Sequence, residues 1–168
     1  MKEIVYIETS FVSLLVGDPS RDVSVAGNQQ VTRDWWQWRR PAFACITSDE
    51  TLMEASRGNS RQVRLRLEAL AGLPSLPTTP AAAELAVRFL ATGALPPAAA
   101  VDAVHLAVAT LAGADYLLTW NCRHLANAQI LRRLEREAAI QGWNLPKVCT
   151  PLELMVEWTY EHDNESDP

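Results

Sequence analysis

The run Ile4-Val5-Tyr6-Ile7 lies between the charged residues Glu3 and Glu8. An unbroken β-branched and aromatic run of this length predicts a short strand covered on both faces. The period then changes. Residues 11–15 predict a helix for which Thr9 and Ser10 are the expected caps. A second helix is expected over about 20–38, with Val31, Trp35 and Trp38 on one apolar stripe and Trp36 pointing elsewhere. Residues 42–47 predict a second strand.

Ser48 and Asp49 are good caps for a helix that carries Glu50, Leu52, Met53 and Glu54 and stops near Gly58. Residues 61–70 continue as a basic helix. A Pro-rich turn over 73–80, with a short strand inside it, leads to a helix over 81–91, and Gly93, Pro96 and Pro97 then break the chain. An almost wholly apolar helix follows over 98–112. Residues 115–119 form the clearest later strand, ahead of a loop, a helix over 129–141 and a last strand at Lys147, Val148 and Cys149.

Strands alternating with helices predict an α/β fold of three layers, a mainly parallel sheet flanked by helices, because parallel neighbours need a crossover long enough to hold a helix. With 168 residues, 48% of them hydrophobic and 21% charged, one domain over 1–156 accounts for the chain. The net charge of −5 is unevenly placed. Glu157, Glu161, Asp163, Glu165 and Asp167 fall in residues 157–168, and taking these five from the 20 acids leaves 15, equal to the 15 Lys and Arg. A neutral body with a solvated acidic tail is therefore expected, and the acidity excludes no nucleic-acid substrate. Cys45, Cys122 and Cys149 are widely spaced, without the C-x-x-C pairing of a zinc site, so reduced thiols are expected. The N-terminal residues lack the long apolar stretch of a signal peptide or membrane span, and the cytosol is the expected compartment.

In an open parallel sheet, ligands bind beyond the C-terminal strand ends. Glu8 ends the first predicted strand, Glu54 lies on the helix after the second, Asp102 falls near a helix start, and Thr119-Trp120-Asn121 ends a later strand. Each acid has an ordinary use as well: Glu8 as a helix cap, Glu54 as a partner of Arg57, Asp102 as a surface acid. Asp102 lies in an apolar helix where an unpaired charge is expensive, and a metal would remove that cost. Clustered carboxylates suit Mg²⁺ or Mn²⁺, and such ions suit phosphodiester cleavage.

Residues 5–10 (Val-Tyr-Ile-Glu-Thr-Ser), 48–58, 102–105 (Asp-Ala-Val-His) and 117–121 (Leu-Leu-Thr-Trp-Asn) resemble, in order, the successive motifs of PIN domains. The similarity runs from about Lys2 to Met155, and the stretch 117–128 is similar to one branch, the VapC-like toxins. The resemblance implies a three-layer PIN-like fold and a Mg²⁺- or Mn²⁺-dependent endoribonuclease, the toxin of a toxin-antitoxin pair, with RNA as substrate, an antitoxin protein as partner and a homodimer as assembly. It assigns the catalytic acids to Glu8, Glu54 and Asp102, all three as metal ligands, and the fourth, more variable catalytic position to Asn121. Thr9, Ser10 and Thr119 match positions that orient water or phosphate. Two departures stand out: Glu8 replaces the usual Asp with a side chain one methylene longer, and Asn121 replaces an acid. The site formally carries −3 rather than −4, which makes a second metal less certain than a first.

Asn121 is open to two uses, capping its turn or contacting a metal. His105 could support an acid of the site from behind, but alone on an apolar helix it is expected more often to be a satisfied core residue, and His124 and Cys122 are loop residues without an assignable partner. Arg57, Arg61, Arg64 and Arg66 predict a solvated basic face, with phosphate contact as the other use. A Trp36 exposed to solvent would suit a partner or a base. Two alternatives to the ribonuclease are a catalytically weakened interaction module and a metal-dependent nuclease acting on DNA. Neither G-x-G-x-x-G, G-x-x-x-x-G-K-[ST] nor G-x-S-x-G occurs, which disfavours dinucleotide, ATP and serine hydrolase chemistry.

Overall fold

Tyr6 and its neighbours show how the chain layers itself. Val5, Tyr6 and Ile7 are all fully buried, yet they belong to two different cores. Side chains alternate across a strand, so Tyr6 joins the core of Leu106, Leu117 and Val148 on one face. Val5 and Ile7 meet Phe11, Trp35, Leu118 and Cys149 on the other. A strand buried on both faces must be central, and burying each such side chain contributes roughly 1.5–3 kcal/mol.

The computed structural model describes residues 1–155. Five strands, β1 (Ile4–Ile7), β2 (Ala44–Ser48), β3 (Ser75–Leu76), β4 (Tyr116–Leu118) and β5 (Lys147–Cys149), form one sheet in the order β3-β2-β1-β4-β5. Every pairing is parallel, with Tyr6 opposite Ile46 on one side and Leu117 on the other. The seven α-helices of the described residues are α1 (Thr9–Val16), α2 (Val23–Asp34), α3 (Asp49–Ala55), α4 (Ser60–Leu70), α5 (Pro80–Ala91), α6 (Ala100–Leu111) and α7 (Ala128–Ile140). The core facing Tyr6 is closed by α5, α6 and α7. The opposite core is closed by α1, α3, α4 and the turn after α2. The expected three-layer α/β architecture is present, with the sheet wholly rather than mainly parallel. None of the helices of the described residues is long and apolar enough to cross a membrane. The acidic segment 157–168 lies outside the described residues.

Several boundaries differ from expectation for local reasons. β2 begins at Ala44 rather than 42, because Arg40–Ala42 forms a 3₁₀ turn that Pro41 favours. α6 begins at Ala100, after a 3₁₀ turn over Pro97–Ala99. The helix expected over 20–38 is α2, capped by Asp22, followed by a π-helical turn at Trp35–Arg39. A π turn closes i to i+5 and turns less per residue than an α turn, so Trp38 is carried off the stripe that Trp35 occupies. Trp35 is fully buried, whereas Trp38 is 69% exposed. Trp36 is not the exposed member: it packs on Phe11, and the Arg40 guanidinium lies 4.2 Å from its ring centre. Trp35 Nε1 is buried without a hydrogen-bond acceptor among the described residues.

The basic run on α4 is spread out. Arg61 meets Asp18 at 2.8 Å, Arg64 meets Glu68, and Arg66 donates to the carbonyls of Ala55 and Arg57.

Candidate active site

The chain leaves β1 towards β2 on one side of the sheet and later places β4 on the other side. The gap beyond the C-terminal ends of β1 and β4 is thus the topological switch point, where ligands bind in open parallel sheets. Glu8 follows β1 directly, and Thr119 follows β4 directly.

Glu8 caps α1. Its carboxylate accepts from the backbone N–H of Ser10 (2.9 Å) and Phe11 (3.2 Å) and from the Ser10 hydroxyl, and it is 4% exposed. Thr9 and Ser10 are therefore the first helical residues rather than the caps. The carboxylate oxygens lie on these N–H groups, as those of Asp22 lie on the Val25 N–H at the start of α2, and the helix dipole favours the charge there. Both hydroxyls make side-chain and backbone contacts rather than capping the helix. Thr9 Oγ1 donates to Glu54 Oε2 at 2.5 Å, and Ser10 Oγ accepts the Trp120 backbone N–H at 2.7 Å, joining the ends of β1 and β4.

Glu54 sits in the last turn of α3, whose start Ser48 caps as expected. Its Oε2 accepts from Thr9 and from His105 Nε2 at 2.7 Å, so its direct partner is His105 and not Arg57. Burial alone would raise the Glu54 pKa, but the hydrogen bonds from His105 and Thr9, with the charges of His105 and Arg57, outweigh it and hold the carboxyl below its ordinary value.

His105 is 1% exposed, as a core histidine should be, and both ring nitrogens are engaged: Nδ1 lies 2.8 Å from the Tyr6 hydroxyl. Burial works against the charged ring. The hydrogen bond to Glu54 and the charges of Glu8, Glu54 and Asp102 prevail, and the His105 pKa is raised. Tyr6 is pushed far above its ordinary value, chiefly by burial, so its hydroxyl stays protonated.

Asp102 lies in the first turn of α6, half-buried. Its charge is not unpaired. Oδ1 accepts from Asn121 Nδ2 at 2.9 Å, and Oδ2 pairs with His124 Nδ1 at 2.9 Å, so the polar groups of one loop already offset the cost of burial that a metal was expected to remove. Asn121 Oδ1 accepts the His124 backbone N–H at 3.1 Å. Asn121 is thus both a turn cap and a donor to Asp102, a geometry that an acid at 121 would turn into repulsion. Thr119, fully buried, accepts the Asn121 N–H at 2.9 Å.

Two residues of this network, Tyr6 and His124, were not among the sequence candidates. Tyr6 carries a readable signal, since a hydroxyl in a strand buried on both faces needs a partner. His124 carries none, because its pairing spans an irregular loop.

The three acids come from the end of β1, from α3 and from α6, and the charges of all three act on His105. As they stand, no three His, Cys, Asp or Glu side chains among the described residues are gathered into a metal cage. The donor set nevertheless fits a hard divalent cation: carboxylate oxygens with hydroxyls beside them. Glu54 Oε1 accepts no hydrogen bond among the described residues and belongs to a side chain 27% exposed. That oxygen is open to a cation.

No family model matches the sequence, and no curated protein matches it. Twelve chains of solved structure match the fold. One is the Mycobacterium tuberculosis toxin VapC20, described as cleaving the sarcin-ricin loop, which is 19% identical with a TM-score of 0.55, the match covering 71% of this chain and 91% of the toxin. Another is from the DNA-bound VapBC complex of Salmonella typhimurium, 15% identical with a TM-score of 0.55, over 90% of this chain and 99% of that one. This protein therefore has the fold of VapC proteins, in agreement with the PIN-domain resemblance of its motifs.

Proposed function

We propose that the protein is a divalent-metal-dependent endoribonuclease that hydrolyses RNA phosphodiester bonds, the toxin of a toxin-antitoxin pair. The observation that supports this reading is a VapC-like sheet with Glu8 at its switch point and the charges of Glu8, Glu54 and Asp102 all acting on one buried histidine, His105. Glu8, Glu54 and Asp102 would hold Mg²⁺ or Mn²⁺. When bound, such an ion supplies Lewis acidity that favours hydroxide at neutral pH and neutralises phosphate charge.

The chain's own groups do the rest. Glu8, locked on α1, fixes the wall of the site, and Thr9 and His105 hold Glu54 in one orientation. Ser10 and Thr119, 3.4 Å apart, line the corner between β1 and β4; the Ser10 hydrogen is given to Glu8, so the Thr119 hydroxyl is the one that can donate to a phosphate oxygen or orient the attacking water. The reading carries with it an antitoxin that covers this corner, a homodimeric assembly and a cytosolic location.

A weakened, protein-binding version of the same module is the second reading. It is favoured by the two departures, since Glu8 and Asn121 are both engaged in internal hydrogen bonds. One experiment decides between them. Chelator-treated protein is given RNA or single-stranded DNA with and without Mn²⁺, alongside Glu54→Gln and Asp102→Asn. The nuclease reading expects Mn²⁺-dependent cleavage of RNA over DNA, lost in both variants. Absence of cleavage by the parent, or parental rates in the variants, would overturn it.

A further inference from the structure

A buried chain of hydrogen bonds runs from β2 to Glu54 Oε2, whose companion oxygen Oε1 accepts no hydrogen bond among the described residues. Ser48 Oγ lies 2.6 Å from the Tyr6 hydroxyl, which lies 2.8 Å from His105 Nδ1, and His105 Nε2 lies 2.7 Å from Glu54 Oε2. Tyr6 and Ser48 are fully buried and His105 nearly so. The aromatic rings of Tyr6 and His105 also pack edge to face, at 5.9 Å and 63°.

Because a carboxylate only accepts, His105 Nε2 must carry the hydrogen of its bond to Glu54. The tyrosine hydroxyl can donate to Nδ1 or accept from it, and the Ser48 hydroxyl rotates to suit. The chain therefore holds whatever the charge on the ring. Its effect is geometric: Thr9 and His105 both bind Oε2, and Oε1, on a side chain 27% exposed, accepts no hydrogen bond among the described residues. By contrast, both oxygens of Glu8 and both of Asp102 already accept hydrogen bonds.

We propose that Tyr6 and His105 are positioning residues that commit Glu54 Oε2 to the protein and present Oε1 as the anchoring ligand for the divalent cation. This rests on the nuclease reading above. In this scheme Glu54, rather than Asp102, takes the ion first, while Asp102 and Glu8 join it by sharing oxygens that already accept hydrogen bonds.

The test is Mn²⁺ binding to the chelator-treated full chain, measured by calorimetry, with thermal melting of each variant alongside. His105→Leu removes the donor to Glu54, and Mn²⁺ affinity is expected to fall by roughly 10–100-fold, the range for outer groups that orient a ligand. His105→Gln keeps an N–H near the same place and is expected to recover most of that loss. Tyr6→Phe keeps the ring packing, removes only the hydroxyl, and is expected to weaken binding in the same direction by less. A purely structural role would lower the melting temperature and leave the affinity of the folded protein alone. If the parent binds Mn²⁺ and Tyr6→Phe and His105→Gln, with His105→Leu where it folds, bind it equally well, the positioning scheme is wrong and the nuclease reading stands. A parent that binds no Mn²⁺ and cuts no RNA overturns both.

Discussion

Asn121 turns its amide nitrogen to Asp102 and its amide oxygen to the backbone of His124, so the fourth position of the site faces an acid with a donor. The substitution of an amide for a carboxylate is thus structurally compensated. Asn121→Asp would bring two carboxylates together and delete a hydrogen bond to a charged group, worth about 1.5–3 kcal/mol. The metal-free variant should melt lower than the parent, and Mn²⁺ should restore more stability to it than to the parent. Equal melting temperatures without metal would show that the Asn121 contact contributes nothing.

Ser10 is the joint between the two strand ends, donating to Glu8 and accepting from the Trp120 N–H. Ser10→Ala leaves a partly buried N–H without its acceptor and should cost about 1–3 kcal/mol. Urea unfolding measures this directly, and a change below about 0.5 kcal/mol, the scale of an ordinary surface substitution, would mean that the joint is not holding the corner.

The π turn after α2 makes a sharp distinction between neighbouring tryptophans. Trp38→Ser should change stability by no more than about 0.5 kcal/mol, because that ring is mostly in solvent. Trp35→Ala should cost about 3–5 kcal/mol, reduced somewhat because the unsatisfied indole N–H disappears with it. Comparable losses from both would return Trp38 to the core stripe.

The Glu54 and His105 pair sets a pH window for the metal-free protein. His105 has a raised pKa, so its contribution is full below its ordinary 6.5 and is lost as pH rises through the folded value. Glu54 has a lowered pKa, so its contribution is present above its ordinary 4.5 and is lost as pH falls through the folded value. Both contributions coexist between pH 4.5 and 6.5. His105→Gln keeps the hydrogen bond and deletes the titration, so the parent's advantage over it in urea should peak in that window and shrink at higher pH. A difference that is flat from pH 4 to 9 would contradict the raised histidine.

β1, β4 and the alternation of helices between strands could be read from the chain because burial on both faces demands continuous apolar runs. The three acids could be placed because strand ends are visible in those runs and the motifs lie in order along them. The groups that hold the acids could not be read. Asp102 is bound by residues 19 and 22 positions away and Tyr6 reaches His105 across 99, separations that leave no periodic trace. The expected stripe of Val31, Trp35 and Trp38 failed for a related reason, since a single wide turn resets helical phase without changing composition. Glu8 was readable both as an acid of the site and as a helix cap, and it is the cap of α1; Thr9 and Ser10, the caps expected for that helix, are its first two residues instead, because the acid one position earlier reaches the same N–H groups.

The central place of β1 also fixes when the fold can close during synthesis. Ile4 is bound by Asp115 across 111 residues, and β1 lacks its second neighbour until β4 has been made. Closing so long a loop is slow and late. Asp102 is made before its partners Asn121 and His124, which follow β4. A nascent chain of about 110 residues, still on the ribosome, would contain all three acids but neither β4 nor the loop that holds Asp102.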